Sequence, residues 1–421
     1  MQITINNQIF TDNSKEATKG TYFVVSKQNR RFKEDAIANG CENIIEAKEL
    51  SNYLDMSSIK VIGITGTNGK TTTVAAIYSI LLDLGYKVAL QGTRGFFIND
   101  EKVEDYSLTT PVQLGNFSHI QKAIQNSCDF FVMEVSSHAI EQKRVEGLEF
   151  ELKIHTNITR DHLDYHKTIQ DYIDVKNSFF SDDCKKLINK DDPVVKFNSK
   201  NTLTYALEVP VGAYSFKNGM HTMFTFIDKM HSYSSTMMGI FNVYNLTAAV
   251  AAAHIVTNKD LDEICEAVEG FAGVTGRMEV VNANPLIIVD FAHTPDGMKE
   301  VLQSFNDKDI ICVFGAGGDR DKQKRPIMGQ IAAKYAKHII VTSDNPRFED
   351  PDLIIEDILK GIKNHQNVIV DVNRKNAIKK AIELANENSV VLLLGKGDEP
   401  TQIIYDKKLA FSDKQEVLKH I

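Results

Sequence analysis

Short apolar runs, each closed by a turn signal and followed by residues at helical spacing, recur along most of the chain. KVIGITG (Lys60–Gly66), FFVMEV (Phe130–Val135), LIIVDF (Leu286–Phe291), IICVFG (Ile310–Gly315), HIIVTS (His338–Ser343) and SVVLLLG (Ser389–Gly395) are the clearest. They are too short for helices and lack polar alternation, so they read as strands buried on both faces. Their alternation with helices, such as one expected from about Thr71 to Leu84, implies parallel sheets with both faces covered. Before the first of these runs, residues 1 to about 57 read as a small module, with YFVV (Tyr22–Val25) as its plainest strand and a basic patch at Arg30, Arg31 and Lys33. The polar region at about 190–235 reads as strands and turns, and a small-residue helix is expected near Leu246–Val256.

Composition narrows the class. With 421 residues, 43% hydrophobic and 25% charged, the chain is long enough for two or three buried cores and reads as globular. A net charge of -8 argues against a broad nucleic-acid or anionic-membrane surface while leaving room for a local basic pocket. Cys41, Cys128, Cys184, Cys265 and Cys312 are scattered and form no C-x-x-C pair, which suits a reducing cytoplasm and supplies no zinc knuckle. The N-terminus MQITINNQIF lacks a signal-peptide pattern, and no apolar stretch is expected to cross a bilayer.

Between the strand at Lys60 and its helix lies GTNGKTTT (Gly66–Thr73). A glycine-rich turn at a helix N-terminus presents backbone N–H groups to phosphates, Lys70 adds a point charge, and Thr71 offers a hydroxyl to magnesium. The usual first glycine is replaced by Ile64, so the loop is a variant. The expected fold class is therefore α/β in three domains: a small N-terminal α/β module (1–57), a central P-loop-type ATPase domain (58–273) and a C-terminal Rossmann-like doubly wound domain (274–421). Glu134, at the mouth of a buried strand, is placed either to hold a magnesium ion or to close a salt bridge at the sheet edge. The crowded T159-R-D-H-L-D-Y-H166 segment reads as a site loop or a surface turn. Lys176 falls on one stripe with Ile169, Tyr172, Ile173, Phe179 and Phe180. There it must snorkel, pair, or lose its charge, and a neutral amine is able to capture CO₂ as a metal-binding carbamate.

Taken in order, GTNGKTTT, TTP (Thr109–Pro111), EVSSHAIEQKR (Glu134–Arg144), TRDHLDYH, FNVYN (Phe241–Asn245), GRME (Gly276–Glu279), DFAHTPD (Asp290–Asp296), GGDRDKQKRP (Gly317–Pro326), DNPR (Asp344–Arg347) and GKGDE (Gly395–Glu399) resemble the Mur ligases, specifically the MurE branch. The resemblance spans nearly the whole chain. It implies that ATP phosphorylates the carboxylate of a UDP-N-acetylmuramoyl dipeptide and that meso-diaminopimelate attacks the acyl phosphate, in peptidoglycan precursor synthesis. It further implies ATP and Mg²⁺ as cofactors, with Thr71, Glu134, His162 and carbamylated Lys176 around metal and Lys70, Lys176 and His162 as catalytic groups. The nucleotide would lie on Gly66, Thr67, Asn68, Gly69, Lys70, Thr71 and Thr72. Asn242 and Asn245 would mark the adenine end, and Arg277, Asp290 and His293 would reach ATP from the C-terminal domain, so the site requires domain closure. Ser14, Thr109, Thr110, Ser136, Gln142 and Arg144 match UDP-substrate positions, and the Arg144 fork suits an anionic group.

Three C-terminal strands end in polar signatures carrying Arg320, then Asp344, Asn345, Pro346 and Arg347, then Gly395 and Glu399. Ligands in open α/β sheets settle at such carboxyl ends. Two arginines with two acids match a zwitterion, and Arg347 has a partner in the second carboxylate of diaminopimelate that lysine lacks. Two departures from the family pattern stand out. The N-terminal module is short around Ser26–Asn29, and Asp398 replaces the histidine of G-K-G-H-E beside the amino-acid pocket. The rival readings are a lysine-adding ligase of the same branch, a folylpolyglutamate synthase-like ligase, a non-catalytic nucleotide-switched binding protein and, on the glycine cluster Gly315–Gly318, a dehydrogenase. The expected partners are the two small-molecule substrates, with no nucleic acid and no membrane, and the expected state is a monomer.

Overall fold

The computed structural model of the chain describes residues 1–105, 108–207, 212–216, 219–226, 229–364 and 366–421. Parts of the polar 190–235 region thus lie outside the described residues. Among those described, no sheet crosses residue 57 or residue 273.

The first four strands, Gln2–Ile5, Gln8–Thr11, Thr21–Val25 and Asn43–Glu46, form one sheet in sequence order. Its apolar side does not stand alone. Ile3, Ile5, Phe10, Val24 and Ile45 share a core with Leu114, Phe117 and Ile120 of the helix Gln113–Gln125 and with Val61, Phe131 and Met133 of the next sheet. A module this small buries only a modest core of its own, and packing on its neighbour enlarges it.

That neighbour has eight strands. Thr202–Tyr205, Lys186–Asn189, Phe150–His155, Lys60–Thr65, Phe130–Glu134 and Val88–Gly92 run parallel, and Gly95–Ile98 and Glu101–Glu104 add an antiparallel edge. Alternate residues face opposite cores. Ile62, Ile64, Phe130 and Val132 pack on the helices Lys70–Asp83, Ile240–Thr257 and Leu261–Glu269, while Val61, Phe131 and Met133 turn to the other face. Ile64 is fully buried within its strand, which is why the loop's usual first glycine is missing: the strand continues through that position.

The helix Ile240–Thr257 contains and extends the small-residue helix expected near Leu246–Val256. It is 18 residues long, and by length and composition it is apolar enough to span a membrane. Here it is an interior helix, 61% buried between the sheet and the helix Lys70–Asp83.

The third unit has the order Glu279–Ala283, Leu286–Asp290, Ser389–Leu394, Asp309–Phe314, His338–Val341, Val368–Val370, all parallel after the first. One face carries the helices Pro295–Gln303, Lys324–Tyr335 and Pro351–Leu359, and the other carries Arg374–Leu384. Ile310, Cys312 and Phe314 point to the first and Ile311 and Val313 to the second, so both faces are covered, as the unbroken apolar runs require.

Candidate active site

The phosphate loop is shaped by the strand-end segment beside it. Thr67 N–H donates to the Asn157 carbonyl at 2.7 Å, Asn68 N–H to Asn157 Oδ1 at 3.0 Å, and Thr156 Oγ1 to the Asn68 carbonyl at 2.7 Å. Gly69 has φ +86°, and a Cβ there would stand 2.3 Å from Asn245 Oδ1. Only glycine fits both demands. Lys70 Nζ folds back on the Gly66 and Thr67 carbonyls at 2.8 and 2.9 Å, and burial pushes its ammonium below the ordinary lysine range.

Thr71 Oγ1 donates toward both Glu134 oxygens at 3.1 Å, and Glu134 also accepts from Thr93 N at 2.9 Å and Thr93 Oγ1 at 3.2 Å. Glu134 is buried and no ion pair holds it among the described residues, so the salt-bridge reading falls away. A hydroxyl and a carboxylate suit a hard cation that takes its remaining ligands from phosphate and water. No cluster of three or more His, Cys, Asp or Glu side chains poised for a metal occurs among the described residues.

His162 lies elsewhere on the wall, with φ +53°. Its backbone N–H donates to Asp161 Oδ1 at 2.8 Å, its Nε2 is 3.3 Å from Asp161 Oδ2, and its ring meets His138 edge-on. Burial pushes its imidazole well down while Asp161 pulls the other way. Burial opposes ionisation of Asp161, but the charges of His162, His293 and Lys324 outweigh it and hold the carboxyl far below the usual range.

Lys176 is buried at 1% exposure, below the loop, with Nζ donating to the Gly66 carbonyl at 2.8 Å and Thr65 Oγ1 at 3.3 Å. Burial, then the Lys70 charge, drive it well below the lysine range. Snorkelling is thereby excluded. Ile169, expected on the same stripe, is 41% exposed, because it opens the helix Ile169–Ser178 where the packed face has not yet begun.

The Arg144 fork is engaged within the protein. Arg144 Nε and Nη2 both donate to Gln142 Oε1, at 3.0 and 2.7 Å, and Nη1 donates to the Thr110 carbonyl at 2.8 Å. Thr110 Oγ1 in turn donates to the Glu134 carbonyl and accepts from Ser136 N–H, and Thr93 Oγ1 reaches Thr109 Oγ1 at 3.2 Å. Thr93, Thr109, Thr110, Ser136, Gln142 and Arg144 form one network running outward from Glu134. Ser14 stays apart in the N-terminal module, its carbonyl accepting from Asn39. The short Ser26–Asn29 segment nevertheless reaches the network, through Gln28 Nε2 to Gln142 Oε1 at 3.0 Å and the Lys27–Glu141 ion pair.

One cavity of about 660 Å³ joins the phosphate loop to the C-terminal strand ends. Lys70, Thr71, Glu134, Asp161 and His162 line it from the central unit, as do Asn242 and Asn245, whose side chains bond to each other at 3.0 Å. Arg277, Asp290, His293, Arg320, Asp344, Asn345, Arg347, Gly395 and Glu399 line it from the C-terminal unit. Gly66 and Pro346 are not in its wall. Arg347 commits one donor, Nη1, to the Gly318 carbonyl at 2.8 Å. Asp398 does not line the cavity either: it turns to the central unit and pairs with Arg94 at 3.3 Å. Arg160 makes a second cross-unit contact, to Asp321 at 3.2 Å and Gln323 Oε1 at 2.7 Å.

Sequence reasoning passed over Thr93, Asp161 and Lys324. Asp161 and Lys324 stood inside recognised motifs and were legible there. Thr93 had no signal, since only the pairing of Val88–Gly92 beside Phe130–Glu134 brings it to Glu134.

Residues 64–253 match the Mur ligase middle domain, and residues 276–397 match the Mur ligase, glutamate ligase domain. The chain is 52% identical over 415 residues to the UDP-N-acetylmuramoyl-L-alanyl-D-glutamate--2,6-diaminopimelate ligase of Wolinella succinogenes, covering 98% of this chain and 95% of that protein. It is 47% identical over 424 residues to the Helicobacter pylori protein of the same name, covering 97% and 94%. A solved structure of a UDP-N-acetylmuramoyl-L-alanyl-D-glutamate--2,6-diaminopimelate ligase superposes with TM-score 0.69 at 30% identity, over 98% of this chain and 94% of that one. Mycobacterium tuberculosis folylpolyglutamate synthase, solved with ADP and AMPPCP, shares the fold at TM-score 0.65 and 15% identity, over 83% and 91%.

Proposed function

The chain belongs to the Mur ligase family, and from that premise we propose that it joins meso-diaminopimelate to UDP-N-acetylmuramoyl-L-alanyl-D-glutamate at the expense of ATP. The observation that carries this is the single cavity in which Lys70, Thr71 and Glu134 face Arg320, Asp344, Arg347 and Glu399. A phosphate-binding half and a zwitterion-binding half meet there, as amide synthesis through an acyl phosphate demands.

A carboxylate resists attack by an amine until one oxygen is converted to a better leaving group. With the nucleotide lying along Gly66–Thr72, Lys70 and the N–H groups of Gly69–Thr72 at the helix start would hold the ATP phosphates and screen their charge as the dipeptide carboxylate approaches, the Thr67 and Asn68 N–H groups being given to Asn157. Thr71 and Glu134 would hold Mg²⁺, which when bound neutralises phosphate charge; His162 and carbamylated Lys176 are the further ligands we propose. The network of Thr109, Thr110, Ser136, Gln142 and Arg144, with Ser14 farther out, would seat the UDP-linked dipeptide. Asn242 and Asn245 would flank the adenine, and Arg277, Asp290 and His293 would close on the nucleotide. Asp344 and Glu399 would orient the incoming amine, while Arg320 and Arg347, supported by Asn345, Pro346 and Gly395, would take its carboxylates.

We divide the chain at 57/58 and 273/274 and place the enzyme in the cytoplasm as a monomer in peptidoglycan precursor synthesis, serving cell shape and division. Its five free thiols support a reducing compartment. Arg347 favours diaminopimelate over lysine as the added amino acid. The test is ADP release and product mass with the UDP-muramoyl dipeptide and a panel of meso-diaminopimelate, lysine and glutamate. Turnover should be fastest with meso-diaminopimelate. Preference for lysine would reassign the substrate, and ATP binding without ADP release would make the chain a nucleotide-switched binding protein.

A further inference from the structure

Lys396 stands at the centre of the Gly395–Gly397 turn, and none of the roles above uses it. Gly395 has φ +110° and Gly397 φ +55°, a backbone course that glycine adopts without strain. The turn directs the lysine side chain inward, where it is 0% exposed.

A buried ammonium must find protein acceptors in place of water. Lys396 Nζ has three: Glu399 Oε2 at 2.9 Å, Asn345 Oδ1 at 3.2 Å and the Thr401 carbonyl at 2.8 Å. Each serves a different part of the amino-acid pocket. Glu399 Oε2 also accepts from Asn345 Nδ2 at 2.7 Å, which fixes the carboxylate through one oxygen and leaves the other for a ligand. Asn345 Oδ1 also takes the Ile403 N–H at 2.9 Å. Thr401 opens the hairpin Thr401–Ile404 and Lys407–Ala410, and this hairpin grips Arg347 by its backbone: Arg347 N–H donates to the Ile403 carbonyl at 3.1 Å, and Tyr405 N–H to the Arg347 carbonyl at 2.7 Å. Arg347 needs that grip, because its φ of +52° is a left-handed conformation that arginine seldom holds unaided.

We infer that Lys396 is the positioning residue of the amino-acid site, acting through Glu399 to set the carboxylate for the incoming ammonium and through the hairpin to set Arg347 for the second carboxylate. The inference rests on the reading of this pocket as the diaminopimelate site.

The experiment compares wild type, Lys396→Met, Glu399→Gln and the double variant as full-length protein, with meso-diaminopimelate and with lysine. Losing a charge-assisted contact that orients a ligand group should raise the KM for meso-diaminopimelate by about 10- to 100-fold in Lys396→Met, with kcat and the KM for ATP within about threefold of wild type. The preference over lysine should narrow. The double variant should bind meso-diaminopimelate no more than about twofold worse than the weaker single variant, since both changes disable one unit. Should Lys396→Met fail to fold, Lys396→Gln, which keeps a donor, takes its place in the same cycle. An unchanged KM for meso-diaminopimelate, additive losses, or a parallel fall of every constant with the melting temperature would each overturn the positioning role. A Glu399→Gln variant with wild-type KM would instead overturn the reading of the pocket, and the role of Lys396 with it.

Discussion

Lys176 Nζ reaches the Gly66 carbonyl from a buried site, where burial and then the Lys70 charge favour the neutral amine, the form that attacks CO₂. Lys176→Ala should be nearly inactive and partly rescued by small carboxylic acids that replace the lost anion. Absence of rescue, together with an unmodified lysine at high resolution in bicarbonate buffer, would remove the carbamate. Arg347 makes a second prediction at this scale. Stranding a buried carboxylate costs about 3–5 kcal/mol, and the partial exposure of Arg347 points to the low end, about 100-fold in apparent affinity. In Arg347→Ala the KM for meso-diaminopimelate should rise by that order while lysine, without the distal carboxylate, suffers much less. Equal losses for both amino acids would show that Arg347 does not read the distal group.

At the scale of elements, the start of the helix Lys70–Asp83 is set by its contact with the helix Ile240–Thr257. Gly69 allows it, and Asn245 Oδ1, also 3.4 Å from Thr73 Oγ1, fills the space a side chain would take. Gly69→Ala would force a Cβ into that oxygen and add about 1–2 kcal/mol of left-handed backbone strain. The expected result is weaker nucleotide binding, by about tenfold or more, with a lower melting temperature, checked by calorimetry and thermal unfolding. Wild-type ATP affinity in the variant would show that the loop does not need this helix contact. The motif pattern located the loop and its lysine; that Asn245 closes against Gly69 depends on helix packing between residues 176 positions apart, which no local spacing encodes.

For the whole molecule, the contacts across the cavity, Arg160 to Asp321 and Arg94 to Asp398, are partly exposed ion pairs. Such pairs add about 0–1 kcal/mol each, so they select how the units meet more than they hold them together. Stability against acid has a deeper source. His119 is stacked on Phe96 at 4.0 Å, bonded to Gln91 Oε1 at 2.6 Å, and pushed down to about 4 by burial, with the Lys122 charge adding to the shift and Glu104 opposing it. The folded chain therefore keeps this imidazole neutral where the unfolded chain, with a pKa near 6.5, takes up a proton. Its contribution is complete above about pH 6.5 and is lost as the pH falls towards 4, up to about 3 kcal/mol in all. The melting temperature should fall over that window, and His119→Gln should flatten the fall. An identical slope in the variant would place the acid sensitivity elsewhere.

The sequence by itself determined what depends on neighbours within a few residues. Unbroken apolar runs such as SVVLLLG specify strands covered on both faces, and the glycine–lysine–threonine motif after one of them specifies a strand–loop–helix turn, because strand period, helix initiation and loop chemistry are local. It also placed Lys176 on a buried face, although Ile169 on the same stripe proved exposed. Tertiary structure alone decided which groups meet. It tied Arg144 to the Thr110 carbonyl, turned Asp398 away from the pocket to Arg94, and brought Lys70 within one cavity of Arg320, 250 positions along the chain. Periodicity tells which side of an element is buried, but the identity of the partner across the gap is fixed by the packing of whole sheets and helices, where burial and hydrogen bonding are satisfied together.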